Sequence, residues 1–415
     1  MTLKSLSNNP LSWPLIYLGI ILLALLSGYQ DIPVLKPLGL VIAEIFVKIF
    51  KCISLPIITL SIIVTLSQYS TEGSMRYVWR RTMRYTFITT FIAAVISALF
   101  YLFIHPSLVT TVDSHVSELP SQELGYWNYL INLIPSSFIE PFVKNQVMSA
   151  LLVGVLTGIG IRFIPESELQ HSIIKFFRAF HGLLMVITSW VIASIPIALF
   201  GFITATVVQL KAGLVLKGIG EYLLVVVLAN CFQGFVILPL WLKFNKIKPY
   251  KSMQGMLPAL SVAFFSKSSV GALPVTIRTI EANLKVRPEI SRFVLPLCTS
   301  LNMNGCAAFI FATVVYLMQN HGIELTLASM GMWVCIATIA AIGNAGVPMG
   351  CFFLSASLLA SMNVPITLMG VILPFYTLID MLETALNVWS DACVARVVDE
   401  KYRNELTEAG SYLRI

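Results

Sequence analysis

Charge is what this sequence has least of. Only 11% of its 415 residues are Asp, Glu, Lys or Arg, against 57% hydrophobic ones, too few to clothe a water-soluble surface of that size. The charges it does have are unevenly placed: residues 85–143 hold no Lys or Arg, yet include Asp113, Glu118, Glu123 and Glu140. A net charge of +7 distributed in this way reads as membrane orientation, not as a nucleic-acid footprint. Histidine is scarce, and none of His105, His115, His171, His181 and His321 stands at metal-ligand spacing from another. HExxH and GxSxG are missing as well, which argues against an enzyme. Cys52, Cys231, Cys298, Cys306, Cys335, Cys351 and Cys393 form no CxxC pair and several lie in apolar runs. They read as small hydrophobes, with neither disulfides nor a metal centre implied. The alternation of an outer-membrane barrel is also lacking.

What is present is a series of long apolar runs, the mark of an all-α polytopic membrane protein. The first half predicts spans over roughly 11–29, 38–67, 85–104, 147–164, 181–209 and 220–242. The first of these is read as a retained span rather than a cleaved signal, since no small-residue cleavage site follows it. Arg76, Arg80, Arg81 and Arg84 form the densest arginine cluster and are expected in a cytoplasmic loop, as are Lys243, Lys246, Lys248 and Lys251. Two spans precede the first cluster, so both termini are expected in the cytoplasm.

In the second half, the apolar stretches are broken by small and polar residues: Ser266–Pro274, Asn302–Gly305 and Ala341–Gly350. Irregular backbone at membrane depth survives only where protein buries it or where it lines a cavity. Beyond these breaks, Asp380, Glu383, Thr384, Asn387 and Asp391 fall within roughly 100° of one helix face at 100° per residue. Each ionised carboxylate at the centre of a span costs about 2.5–3.5 kcal/mol, so this stripe predicts an interior site for cations and a zwitterion.

Those residues carry a resemblance. Ser268-Ser269-Val-Gly-Ala-Leu-Pro-Val-Thr276 resembles the serine-rich hairpin tip of the dicarboxylate/amino acid:cation symporter family, the glutamate and aspartate transporter homologues. Asn302-Met303-Asn304-Gly305 is similar to its NMDG segment, Gly343–Pro348 to its second hairpin tip, and Asp380–Asp391 to its DMxRTxxNVxGD signature. The resemblance covers nearly the whole chain. It implies a single integral-membrane domain of eight transmembrane helices plus two re-entrant helical hairpins, with inverted repeats, assembled as a homotrimer. It further implies a scaffold of about 11–67 and 129–209, an elevator-like transport part of about 85–104 and 220–398, and a cytoplasmic tail at 399–415. The compact length fits a bacterial inner membrane.

The resemblance also implies roles for individual residues. Asp380 would hold the substrate ammonium. Asn387 and hairpin hydroxyls such as Ser269 would meet its carboxylate, with Ser268, Thr384, Gly346, Val347, Glu383 and Lys267 also in the substrate site. Asp391, with backbone oxygens near Asn302 and Asn387, would bind one Na⁺, and Ala341, Ile342, Asn344 and Met303 a second. A third would involve Asn304, Thr89, Thr90 and Asn387. No cofactor beyond the coupling ion is implied.

Departures from the family pattern redirect the substrate. Glu383 stands where acidic-substrate members carry an arginine that clamps a side-chain carboxylate. The run Glu383–Asn387 is similar to the bacterial sodium:serine/threonine branch. The expected substrate is therefore a neutral amino acid such as serine or threonine, or a cationic one. Glu383 is expected either to pair with Lys267, which can instead meet Asp380, or to be protonated. Asn304 replaces an aspartate, so fewer than three bound Na⁺, or a weakened third site, are expected. Proton coupling in place of Na⁺, and a binding-only nutrient sensor with the transporter fold, remain as alternatives.

Overall fold

The computed structural model describes residues 12–30, 32–67, 75–109, 134–144, 146–211, 217–344, 349–362, 364–365 and 367–412. Every regular element among them is helical. Among the described residues, four stretches are long and apolar enough to cross a membrane: Arg76–Ile104, Gly218–Phe244, Pro288–Asn320 and Leu368–Arg403.

The first group of helices is α1 (Ser12–Tyr29), α2 (Leu35–Ser67), α5 (Val147–Arg162), α6 (Ser167–Ala193) and α7 (Ile195–Lys211), with the short α4 (Glu140–Val143) leading into α5. Helix α2 is its centre, packing on α5, α6 and α7, while α1 lies along α7. The approach of α2 to α7 depends on Gly201, where an added Cβ would stand 2.7 Å from the Ala43 nitrogen. Two expectations are corrected here. The Arg76–Arg84 cluster is not a loop but opens α3 (Met75–Ile104), because no helix breaker separates it from the apolar run that follows. The expected span at 181–209 is two helices, parted at Ser194 two residues before Pro196, which has no N–H to continue the helical ladder of the preceding turn.

The second group surrounds α13 (Asn304–Asn320). Every residue of α13 from Asn304 to Met318 is buried, the behaviour of a helix that is apolar all round. It packs on α3, on α8 (Lys217–Phe232), on α14 (Leu327–Ile342) and α15 (Gly350–Ser361), and on the long α16 (Thr367–Tyr412). A π-helical turn at Gln233–Ile237 connects α8 to α9 (Leu238–Phe244).

The interrupted stretches are helix breaks, as their composition predicts. Helices α10 (Pro249–Ser266) and α11 (Ser269–Leu284) form a hairpin, with Asn283 Nδ2 donating to the Gly255 carbonyl at 2.7 Å near its base. The chain reverses over two residues. Lys267 ends α10 in the left-handed region at φ 53°, and Ser268 caps α11 by accepting the Gly271 N–H at 3.0 Å. Asn302 and Met303 leave helical backbone between α12 (Pro288–Leu301) and α13. The third break separates α14 from α15; both lie against α13, α14 also on α3, and α15 also on α2 and α5.

Candidate functional site

The three breaks and the polar face of α16 meet in one place. Lys267 and Ser269 from the α10–α11 tip, Met303 and Cys306 from the start of α13, and Asn344 and Cys351 from the third break line a cavity with Asp380, Glu383, Thr384 and Asn387. The side chains leave only about 10 Å³ free, room for roughly one water molecule. A larger guest therefore requires a wall to move.

The helical spacing that placed the α16 residues on one face holds, and all five are buried. Asp380 and Glu383 each keep one oxygen without a hydrogen-bond donor, Oδ2 and Oε1 respectively. The other Glu383 oxygen accepts the Tyr376 hydroxyl at 3.2 Å. Lys267 is the one cation lining the cavity. Its charge faces Asp380, but among the described ion pairs it lies within 4.0 Å of neither carboxylate. The expected pairing with Glu383 or Asp380 is thus an approach without contact. Lys267 is fixed at the hairpin tip by its left-handed backbone, and Asp380 lies one turn below Glu383 on α16.

Other predicted site residues divide by partner. Ser269 is buried and lines the cavity, whereas the Ser268 hydroxyl is engaged as the cap of α11. Thr384 turns its hydroxyl back to the Asp380 carbonyl at 2.7 Å. Asn387 accepts the Gly305 N–H at 2.9 Å and directs Nδ2 toward the Met303 sulfur at 3.5 Å. Gly305 is required there, since a Cβ would lie 2.8 Å from the Glu383 Cα. Gly346 and Val347 lie outside the described residues.

Below the cavity is a continuous polar network. Asn302 Nδ2 donates to Asp391 Oδ1 and to the Ser390 hydroxyl, both at 2.9 Å, and Thr299 reaches Asp391 Oδ2 at 3.5 Å. Asn302 Oδ1 accepts from the Thr89 hydroxyl and from Asn304 Nδ2, also at 2.9 Å. Asn304 Oδ1 in turn accepts from Gln233 Nε2 at 2.7 Å. The expected cation ligands Asp391, Asn302, Asn304 and Thr89 are therefore brought together. Thr90 is buried, with its hydroxyl unpartnered. The Ala341 carbonyl accepts the Asn344 N–H at 3.0 Å as α14 ends, and Ile342 is its last residue.

Gln233, Ser390, Thr299 and Tyr376 were not singled out from the sequence. Gln233 sits in an apolar run, and the legible signal was an amide, three residues after Asn230, inside a predicted span. The cysteines require a correction. Cys306 and Cys351 are not independent small hydrophobes but are joined as a disulfide across the cavity wall. Their separation of 45 residues hides this, because only the packing of α15 on α13 brings the two cysteines together.

A helical membrane protein whose broken helices converge on buried carboxylates, amides and hydroxyls belongs to the class of secondary transporters. A match to the sodium:dicarboxylate symporter family runs over residues 13–401, and the chain belongs to that family. It is 25% identical to the bovine (Bos taurus) neutral amino acid transporter B(0), over 84% of this chain and 71% of the relative. It is 26% identical to a Caenorhabditis elegans protein named as a sodium-dependent excitatory amino acid transporter, over 89% of this chain and 84% of the relative. It is 29% identical to the bovine neutral amino acid transporter A, over 61% of this chain and 48% of the relative. The family and these relatives are transporters, and the chain is not an enzyme.

Proposed function

We propose that the chain is a Na⁺-coupled amino acid symporter that has lost acidic-substrate selectivity and carries neutral amino acids such as serine or threonine, or cationic ones. The observation that carries this reading is Glu383, a buried carboxylate with one unpartnered oxygen, at the cavity wall where a side-chain carboxylate would otherwise have to be received. Two carboxylates and one lysine repel a second substrate carboxylate and favour an ammonium or hydroxyl. The neutral amino acid transporters among its relatives point the same way.

In this reading Asp380 receives the substrate ammonium, while Ser269 and Asn387 meet its carboxylate. Asp391 with its Asn302 and Thr299 partners holds Na⁺. Asn304 lends no charge to a further cation, and its carbonyl oxygen is already occupied by Gln233, which supports fewer than three coupled ions. The two packing groups support an elevator: α1, α2 and α5–α7 as the fixed body of a homotrimer, and α3 with α8–α16 as the moving part. The arginines opening α3 support a cytoplasmic side for both termini.

The test is uptake into proteoliposomes of labelled serine, threonine, arginine and aspartate, driven by an inward Na⁺ gradient. Serine, threonine or arginine uptake exceeding that of aspartate is expected, with Glu383→Arg shifting the preference toward aspartate. If Glu383→Arg leaves the ratio unchanged, the charge argument is wrong. Equal uptake in Na⁺-free medium under an acid-outside gradient would replace Na⁺ by H⁺, for which Glu383 with its Tyr376 hydrogen bond is the natural carrier.

A further inference from the structure

Cys306, Cys351 and Glu383 come from three separate elements: the first turn of α13, the first turn of α15, and the polar face of α16. Their two sulfurs and one carboxylate oxygen lie within 4.8 Å of one another, and all three residues are at least 98% buried. Glu383 contributes a carboxylate oxygen, and one oxygen of that carboxylate, Oε1, has no donor. Asn344 closes the cluster, with Nδ2 at 3.1 Å from the Cys306 sulfur and 3.4 Å from that of Cys351. Its Oδ1 is buried and unpartnered, and a half-turn about its soft terminal torsion would carry that oxygen to the sulfurs.

We propose that these residues form a thiol-gated site for a thiophilic divalent cation of the Zn²⁺ or Cd²⁺ type, open when the two cysteines are reduced and closed when they are bonded to each other. Two thiolates, one carboxylate and one amide oxygen make a four-coordinate donor set. Soft sulfur selects such metals over Na⁺, Mg²⁺ or Ca²⁺, which prefer oxygen alone. With the sulfurs bonded, no thiolate is available. A dithiol reductant opens the site: each cysteine sulfur gains one electron and one proton while the reductant closes to its own disulfide. The incoming cation then displaces both thiol protons. A bound cation would tie α15 to α13 and α16 and occupy the free space beside Asp380, so cation and amino acid would compete. The site stands on this donor cluster and not on which amino acid the chain carries.

The test uses the purified full-length chain, reduced with a dithiol, freed of reductant under anaerobic conditions and titrated with Cd²⁺. Equilibrium dialysis gives stoichiometry, and the ultraviolet thiolate-to-Cd²⁺ charge-transfer band reports sulfur ligation. Wild type is expected to bind one more Cd²⁺ per chain than the Cys306→Ser/Cys351→Ser variant, with Glu383→Gln weakening that site at least about tenfold. Wild type oxidised with diamide should lose the same Cd²⁺, a control that needs no substitution. Equal stoichiometry in reduced wild type and the double variant would overturn the proposal. So would undiminished affinity in Glu383→Gln, or full binding by the oxidised chain.

Discussion

Gln233 Nε2 donates to Asn304 Oδ1 at 2.7 Å and to the Thr89 carbonyl at 3.1 Å, so one buried amide joins α3, the π-helical turn and the start of α13. An amide answered by an amide makes this corner neutral. Asn304→Asp places a carboxylate at its centre, and the Gln233 donor cannot neutralise it. The variant is expected to be more strongly stabilised by Na⁺ than wild type, with a steeper Na⁺ dependence of uptake. Thermal unfolding at several Na⁺ concentrations checks this, and an unchanged Na⁺ response would show that Asn304 does not limit cation binding.

Removing that link tests its structural weight. Gln233→Leu leaves Asn304 Oδ1 buried without its donor, which costs about 1–3 kcal/mol. Lower thermal stability in detergent is expected, whereas Asn304→Leu combined with Gln233→Leu should cost less than the sum of the two single changes.

Gly305 is a point of close approach between α13 and α16. An added Cβ meets Glu383 Cα at 2.8 Å and Glu383 Cβ at 2.9 Å, contacts that only a separation of the helices relieves. Gly305→Ala should destabilise by about 1–3 kcal/mol through overpacking. Because the displaced residue is Glu383, substrate affinity should also fall, as a rise in KM measured at the temperature where the variant remains folded.

Far from the cavity, Arg287 donates Nε to Asp399 Oδ1 at 2.7 Å and Nη2 to the Asp399 carbonyl at 2.9 Å, fastening the C-terminal half of α16 to the start of α12 at the base of the first hairpin. Asp399 is buried while Arg287 is partly exposed, so Arg287→Ala should cost about 2 kcal/mol, less than a fully buried pair. The loss should appear as a lower melting temperature with KM unchanged.

Much of the architecture was legible before any coordinates. Apolar runs predict helices because only internally hydrogen-bonded segments suit a bilayer, and small or polar residues at 266–274, 302–305 and 341–350 mark where the helices break. The stripe from Asp380 to Asp391 follows from the 3.6-residue period alone. Local reading failed where no local signal existed. Ser268 and Ser269 are adjacent and chemically identical, yet one caps α11 and the other lines the cavity, a division made by the phase of the helix start. Pairing of Lys267 with a carboxylate and protonation of Glu383 were both open in the sequence, and the left-handed turn of the Lys267 backbone sets its reach.

The sequence by itself determined the membrane class, the helix breaks and the donor types on α16, since each is a property of composition or of periodicity within one segment. Only the tertiary structure decided which of those donors have partners. Gln233 reaches Asn304 across 71 residues and Cys351 reaches Cys306 across 45, through helices that return to α13 only once the chain has packed. Contacts of that kind are set by how whole helices pack side by side, and no window of sequence holds both members of the pair.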